Sequence, residues 1–367
     1  MGKIGTLMLF SLFSLYAGEQ TLSPELSQQY FQKTFVNTEN GISLEKITIA
    51  GPPQPPKGVT RPTVQMESLT ESTESGTVKV LQTPSFRWSF GCSATAAAMI
   101  AGYYDRNGYP NIYTGPTNGG VMPLNNSSWP DWKDSSGQTL AQCPLSATHK
   151  GLDGRTTRGH VDDYWVAYNN AGQDPYQNGG WTQHTYGDCT ADFMRTNQAH
   201  NYYNSNEYGN PDGATAFYTF NSGDPLTAAD MEYYGVHLQD GAYGFKKFME
   251  SRGYKVETLY TQRIDADQAG GFTFNQYKAE IDAGHPVMIH VEGHSMIGVG
   301  YDSSNNTVYL HDTWDYDLHS MTWGGSYSRM KQYAVTVIHL KPVDQPKPTV
   351  NPYIIPMGNN KATVIML

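Results

Sequence analysis

The sequence predicts an α+β fold in which a helix with a cysteine at its start packs on a run of antiparallel strands. Two observations predict it. Ser93–Tyr104 carries Ala94, Ala96, Ala97, Ala98 and Ala101, which makes a helix thin enough to be buried among neighbours. From Pro286 onward, short runs alternate apolar with small or polar residues and are separated by turns, the pattern of paired strands. Between these parts, residues 106–236 are crowded with Gly, Asn, Asp, Tyr and Trp and read as a large loop-rich insertion with packing of its own.

Taken in order, Met1–Lys3 is a short basic start, Ile4–Tyr16 is apolar and uncharged, and Ala17-Gly18 offers small residues for cleavage. Residues 1–17 therefore read as a secretory signal peptide, which places the mature protein as secreted or periplasmic. The loose myristoylation pattern of Met1-Gly2-Lys3-Ile4-Gly5-Thr6 is the competing reading, and the apolar run directly behind it favours export. That run is too short for a membrane-spanning helix, so no membrane association is expected of the mature form. Residues 18–77 read as a pro-segment or linker, with an amphipathic helix around Leu26–Phe35 and a stiff Pro-rich stretch at Ile49–Pro62.

A catalytic domain is then expected over residues 78–343. Val78–Leu81 is a strand, and the Ser93–Tyr104 helix ends at Asn107-Gly108-Tyr109-Pro110. Short helices are expected in the insertion near Val161–Asn169 and Ala191–His200. Beyond it come helices at Gly244–Arg252 and Phe274–Ala283, with strands at Lys255–Tyr260, Pro286–Val291, His294–Tyr301, Thr307–His311 and Gln332–Leu340. Residues 344–367 form a Pro-rich tail in which Lys361–Leu367 looks like a strand without a partner.

A net charge of −10 argues against a nucleic-acid partner, which needs a basic face. Hydrophobic content is 38%, yet aromatics reach 13%, which indicates a true core under long loops rather than disorder. There are three cysteines, an odd number for an exported chain. Cys143 and Cys189 could pair in an oxidising compartment, which would leave Cys92 free.

Cys92 follows Gly91 and opens a helix, where the dipole and unpaired N–H groups favour the thiolate. Alone it could equally be a small buried residue beside alanines. His294 opens a strand after Gly293, and a hairpin leads on to Asp312 at the end of the next strand. Cys92 as nucleophile, His294 as base and Asp312 as orienting acid make a triad in that chain order, with Asp315 and Asp317 as alternates for the acid. His290 is assigned to packing or to support behind the site, and the Arg158–Trp165 group of one histidine and two carboxylates to helix capping and exposed polar surface. No metal site and no cofactor are expected.

Gly91-Cys92-Ser93-Ala94-Thr95-Ala96 with Met99 and Tyr103-Tyr104-Asp105, then Gly284-His285-Pro286-Val287, Gly293-His294 and Gly300-Tyr301-Asp302, resemble the bacterial bacteriocin-processing (double-glycine) cysteine peptidase family. The likeness is greatest to its secreted stand-alone members of papain-like fold. It implies a thiol protease, a hydrolase of peptide or protein substrates, with the roles of nucleophile, base and orienting acid on Cys92, His294 and Asp312. That family sets a glutamine several residues before its cysteine as an oxyanion donor. Here Gln82 stands further back, so the Trp88 N–H and the Ser89 hydroxyl join it as candidates. Two other functions share this residue order: a peptidoglycan amidase or endopeptidase, and a catalytically inactive peptidase-like binding protein.

Overall fold

A computed structural model describes residues 29–38, 40–65, 69, 77–149, 167–169, 188–196, 210 and 212–342, and the backbone of strands 353–357 and 361–365. The expected signal peptide, the Arg158–Trp165 group and residues 161–166 of the helix expected at Val161–Asn169 lie outside the described residues; 167–169 form a bend and turn.

The chain begins with β1 (Phe31–Asn37), β2 (Ser43–Ile49), β3 (Thr63–Val64) and β4 (Val78–Val80), followed by helix α1 (Cys92–Arg106). The insertion contributes β5 (Trp132–Lys133), β6 (Thr139–Leu140), α2 (Thr190–Met194), β7 (Thr215–Phe220), β8 (Leu226–Thr227) and α3 (Ala228–Tyr233). Then come α4 (Gly241–Ser251), β9 (Val256–Arg263), α5 (Phe274–Asp282), β10 (Val287–Val291), β11 (His294–Asp302), β12 (Thr307–His311), β13 (Leu318–Thr322), β14 (Ser326–Tyr327) and β15 (Met330–Leu340). The tail adds β16 (Tyr353–Met357) and β17 (Lys361–Ile365).

The main sheet is antiparallel and runs β3-β13-β12-β11-β10-β15-β9-β8, with β4 paired to β11 and β14 to β15. Helix α1 packs on β11 and β10, and its alanines at 94, 96, 97, 98 and 101 are all fully buried. Small side chains let the helix axis approach the sheet closely, so it becomes the centre of the core rather than its cover. The fold is α+β, as expected.

Three expectations need correction. Residues 31–35 are strand, not helix: β1 pairs along its whole length with β2, which in turn pairs with β7. The apolar spacing that suggested a helix face is satisfied by β2, where Leu44, Ile47 and Ile49 are fully buried. Nor is the stretch from Ile49 to Pro62 a spacer, because Gly51, Pro52 and Pro53 are buried and β3 extends the edge of the main sheet at β13. The tail strand β17 does have a partner, β16.

The described parts of the insertion are stitched to α1. Asp105 accepts from the backbone N–H of Tyr113 and of Met122, each at 2.9 Å. The Thr190 hydroxyl donates to the Ala94 carbonyl at 2.7 Å, and the Ser146 hydroxyl to the Ser89 carbonyl at 2.9 Å. Cys143 and Cys189 are both buried thiols, and no disulfide joins them. Burial pushes the Cys143 thiol up to about 12, which makes it inert at neutral pH.

Candidate active site

The turn before α1 aims the cysteine. Phe90 and Gly91 both have positive φ, at 59° and 127°. A side chain on Gly91 would come within 2.8 Å of Thr196, so only glycine fits there. Thr95 locks the turn, donating to the Gly91 carbonyl at 2.7 Å and accepting from the Ser89 N–H at 3.0 Å. Cys92 is thereby placed at the first position of the helix, whose N-cap supplies no side-chain acceptor. The helix N-terminus is left to favour negative charge.

His294 is fully buried at the start of β11. A methyl group built on Gly51 would lie 2.3 Å from Cys92 Sγ and 2.5 Å from His294 Nδ1, so the two reactive atoms face each other across one atom's width. Among the described residues Nδ1 has no hydrogen-bond partner. On the other side of the ring, Nε2 donates to the Asp312 carbonyl oxygen at 2.6 Å and lies 3.1 Å from the Thr313 hydroxyl. That arrangement fixes the tautomer, with the proton on Nε2 and the free lone pair of Nδ1 toward the sulfur. Trp314 stacks on the ring at 3.9 Å with planes 21° apart.

Burial opposes the thiolate of Cys92. The His294 imidazole outweighs it, the Ser295 N–H (3.3 Å from Sγ) and the Ser93 hydroxyl assist, and the thiol is held below its ordinary value. Ser295 had no signal in the sequence beyond its place next to the histidine. Its hydroxyl bonds to Ser93 at 2.8 Å and to His290 Nδ1 at 2.9 Å, while His290 Nε2 meets the Thr336 hydroxyl at 2.9 Å. His290 is thus the middle of a buried polar chain that reaches from the helix start into the sheet.

The carboxylate of Asp312 does not touch the imidazole, contrary to expectation. The β11–β12 register sets Ile297 opposite His311, so the residue level with His294 is Trp314. Asp312 instead accepts from Arg61 Nη1 at 2.7 Å, from the Tyr327 hydroxyl at 2.6 Å and from the Trp314 N–H at 2.9 Å. Asp315 takes up the same Arg61 nitrogen at 2.6 Å and binds His319 at 2.8 Å. The carbonyl of Asp312, not its side chain, holds the His294 ring.

Of the oxyanion candidates, the structure brings only Trp88 to the site. Its indole N–H donates at 3.0 Å to the carbonyl of Gly51, the residue lying against Cys92. Ser89 is engaged elsewhere, donating to the Arg87 carbonyl and accepting from Asn126. Gln82 is exposed and lines a separate groove with Thr63, His311 and Tyr316.

Two groups among the described residues have the composition of metal sites. Glu280, His285 and His339 cluster on the surface, and the Glu280 carboxylate is already shared by the two rings at 3.3 and 2.6 Å. Asp312, Asp315 and His319 surround a point filled by the Arg61 guanidinium, whose charge excludes a cation there.

A helix-borne thiol facing an imidazole on an antiparallel sheet defines a candidate thiol-hydrolase centre. Residues 78–335 match the model of the Peptidase_C39 like family, and the chain belongs to that family. The match starts at β4 and ends within β15, so it contains Cys92, His294 and Asp312. It supports a cysteine-type peptidase acting on a peptide or protein. No curated protein and no solved structure matches the chain.

Proposed function

We propose that the protein is an exported thiol peptidase of papain-like type, with Cys92 as nucleophile and His294 as general base. The facing of Cys92 Sγ and His294 Nδ1 across the space beside Gly51 is the observation that carries this reading. Nδ1 takes the thiol proton as sulfur attacks the substrate carbonyl carbon, then returns it to the departing amine. Water attacks the thioester with His294 again as base, releasing the acid product and the thiol. The Asp312 carbonyl holds Nε2–H throughout, and the Trp88 indole N–H supplies a donor for the developing oxyanion. Export rests on the residues of 1–17.

The test is the rate of Cys92 alkylation by iodoacetamide, mapped by mass spectrometry, in the wild type and in His294→Ala. Removing the buried His294 ring opens access to Cys92 and by itself would speed labelling, so a slower variant reports the base. Loss of a positioned base is expected to slow labelling on the order of a hundredfold. Equal rates would leave a thiol without a base and sink the peptidase reading.

A further inference from the structure

The reactive pair is closed off by the chain's own N-terminal region. Cys92 and His294 are both fully buried, and the residue lying against both is Gly51, far from either in sequence. Its α-carbon sits where any larger residue would collide with the sulfur and the imidazole together. The segment is fixed at each step: the Ala50 N–H donates to the Tyr30 carbonyl at 2.9 Å, Trp88 holds the Gly51 carbonyl, and the Trp314 indole holds the Pro52 carbonyl at 2.8 Å. Paired prolines at 52–53 and 55–56 keep the stretch extended and stiff. Both ends are tied into sheets, by β2 before it and by β3 and the Arg61 ion pairs behind it. A substrate carbonyl needs the place this strap holds.

We propose that Ala50–Pro53 is an inhibitory strap, and that a single cut after Lys57 by a peptidase specific for basic residues opens it. This rests on the peptidase reading above. Lys57 and Gly58 form the exposed turn of the strap, with Gly58 at φ +73°. Exposed turns of this kind are where chains are nicked. Hydrolysis there consumes one water and leaves a carboxylate on Lys57 and an amine on Gly58. The far anchors, Arg61 and β3, stay in the body of the protein, while residues 51–57 become a free end extending from Ala50, tied by the two indole bonds to Gly51 and Pro52. The strap borders a cavity of about 700 Å³ that Tyr30, Pro53, Tyr168 and Asp212 also line, so the freed end has room to leave without unpacking the core.

The experiment measures Cys92 alkylation in the full chain before and after limited trypsin digestion, with the cut sites mapped by mass spectrometry. Lys57→Gln serves as the control, and Gly51→Ala, checked for folding by circular dichroism, expels the strap without a cut. A rise of at least tenfold is expected on cutting the wild type, none on treating Lys57→Gln, and a rise in uncut Gly51→Ala. If the uncut wild type labels as fast as the cut chain and as Gly51→Ala, the strap is no barrier and the proposal falls. If Lys57→Gln opens equally under trypsin, the activation site is wrong. Should Gly51→Ala unfold, the pair of wild type and Lys57→Gln decides alone. Loss of the His294 dependence in the cut chain would instead overturn the peptidase reading, and the strap with it.

Discussion

Two buried polar groups meet back to back at residues 312–314, and they are built on opposite lines. On one side, Cys92 and His294 have no carboxylate within hydrogen-bond reach among the described residues; their partners there are a main-chain carbonyl, hydroxyls and a backbone N–H. On the other, Arg61, Asp312, Asp315, His319 and Tyr327 form a dense ionic cluster. Asp312 belongs to both, lending its carbonyl to the first and its side chain to the second. The carbonyl and the Thr313 hydroxyl are neutral partners, so the His294 ring is oriented firmly without a fixed charge on Nε2. The ionic cluster fixes the turn that presents the carbonyl.

Asp312→Asn tests that division most severely. If the carboxylate were the orienting acid of a triad, the substitution would cost roughly ten-thousandfold in activity through a wrong tautomer. In this geometry it removes a charge partner from Arg61, which keeps Asp315, and weakens the bond from Tyr327. The expected outcome is a stability loss of about 2–3 kcal/mol by urea denaturation, with Cys92 alkylation slowed less than tenfold in the folded fraction. A loss of reactivity as large as that of His294→Ala would return the carboxylate to a direct role.

What the sequence disclosed and what it concealed follow from the range of the interactions. Cys92 and His294 were legible because each is announced by its immediate neighbours, a glycine before and a regular element after. Arg61, Trp314 and Tyr327 carry no local signal. Arg61 reaches Asp312 across 251 positions, and Trp314 reaches His294 through a strand register that the hairpin length alone did not fix. Gly51 sat in a Pro-rich stretch whose composition is that of a linker, and only its contacts distinguish a strap from a spacer. Strand β1 was misread because its pairing partner β2, not its own periodicity, decides its conformation.

The reactive side of the comparison has its own titration signature. His290 faces the Ser295 and Thr336 hydroxyls and the Phe217 ring, with no charged group against it. Burial holds its pKa at about 3, against 6.5 for an exposed histidine. Below about pH 6.5 the unfolded chain therefore binds a proton that the native chain refuses, and stability falls as pH drops through that window. One such proton contributes a slope of up to ~1.4 kcal/mol per pH unit. His319, raised despite burial by Asp315 and Asp312, works the other way: its contribution is present below its unfolded pKa and is lost as pH rises through its folded one. Melting curves of the wild type and His290→Gln between about pH 6.5 and 5.5 should separate the two, the variant losing less stability on acidification. Parallel curves would mean that His290 is protonated in the fold.

Tyr327→Phe makes the finest cut between the two groups. The hydroxyl donates to Asp312, while the ring lies parallel to Trp314, with centroids 6.4 Å apart and planes 17° apart, and Trp314 in turn stacks on His294. Phenylalanine keeps the ring and deletes one charge-assisted hydrogen bond, so about 1.5 kcal/mol of stability should go. Nothing on the reactive side loses a partner, and the rate of Cys92 alkylation should stay unchanged. A slower thiol with the melting point intact would show that the ionic cluster sets the Trp314–His294 stack directly, and that the Asp312 carbonyl is not the only tie between the clusters.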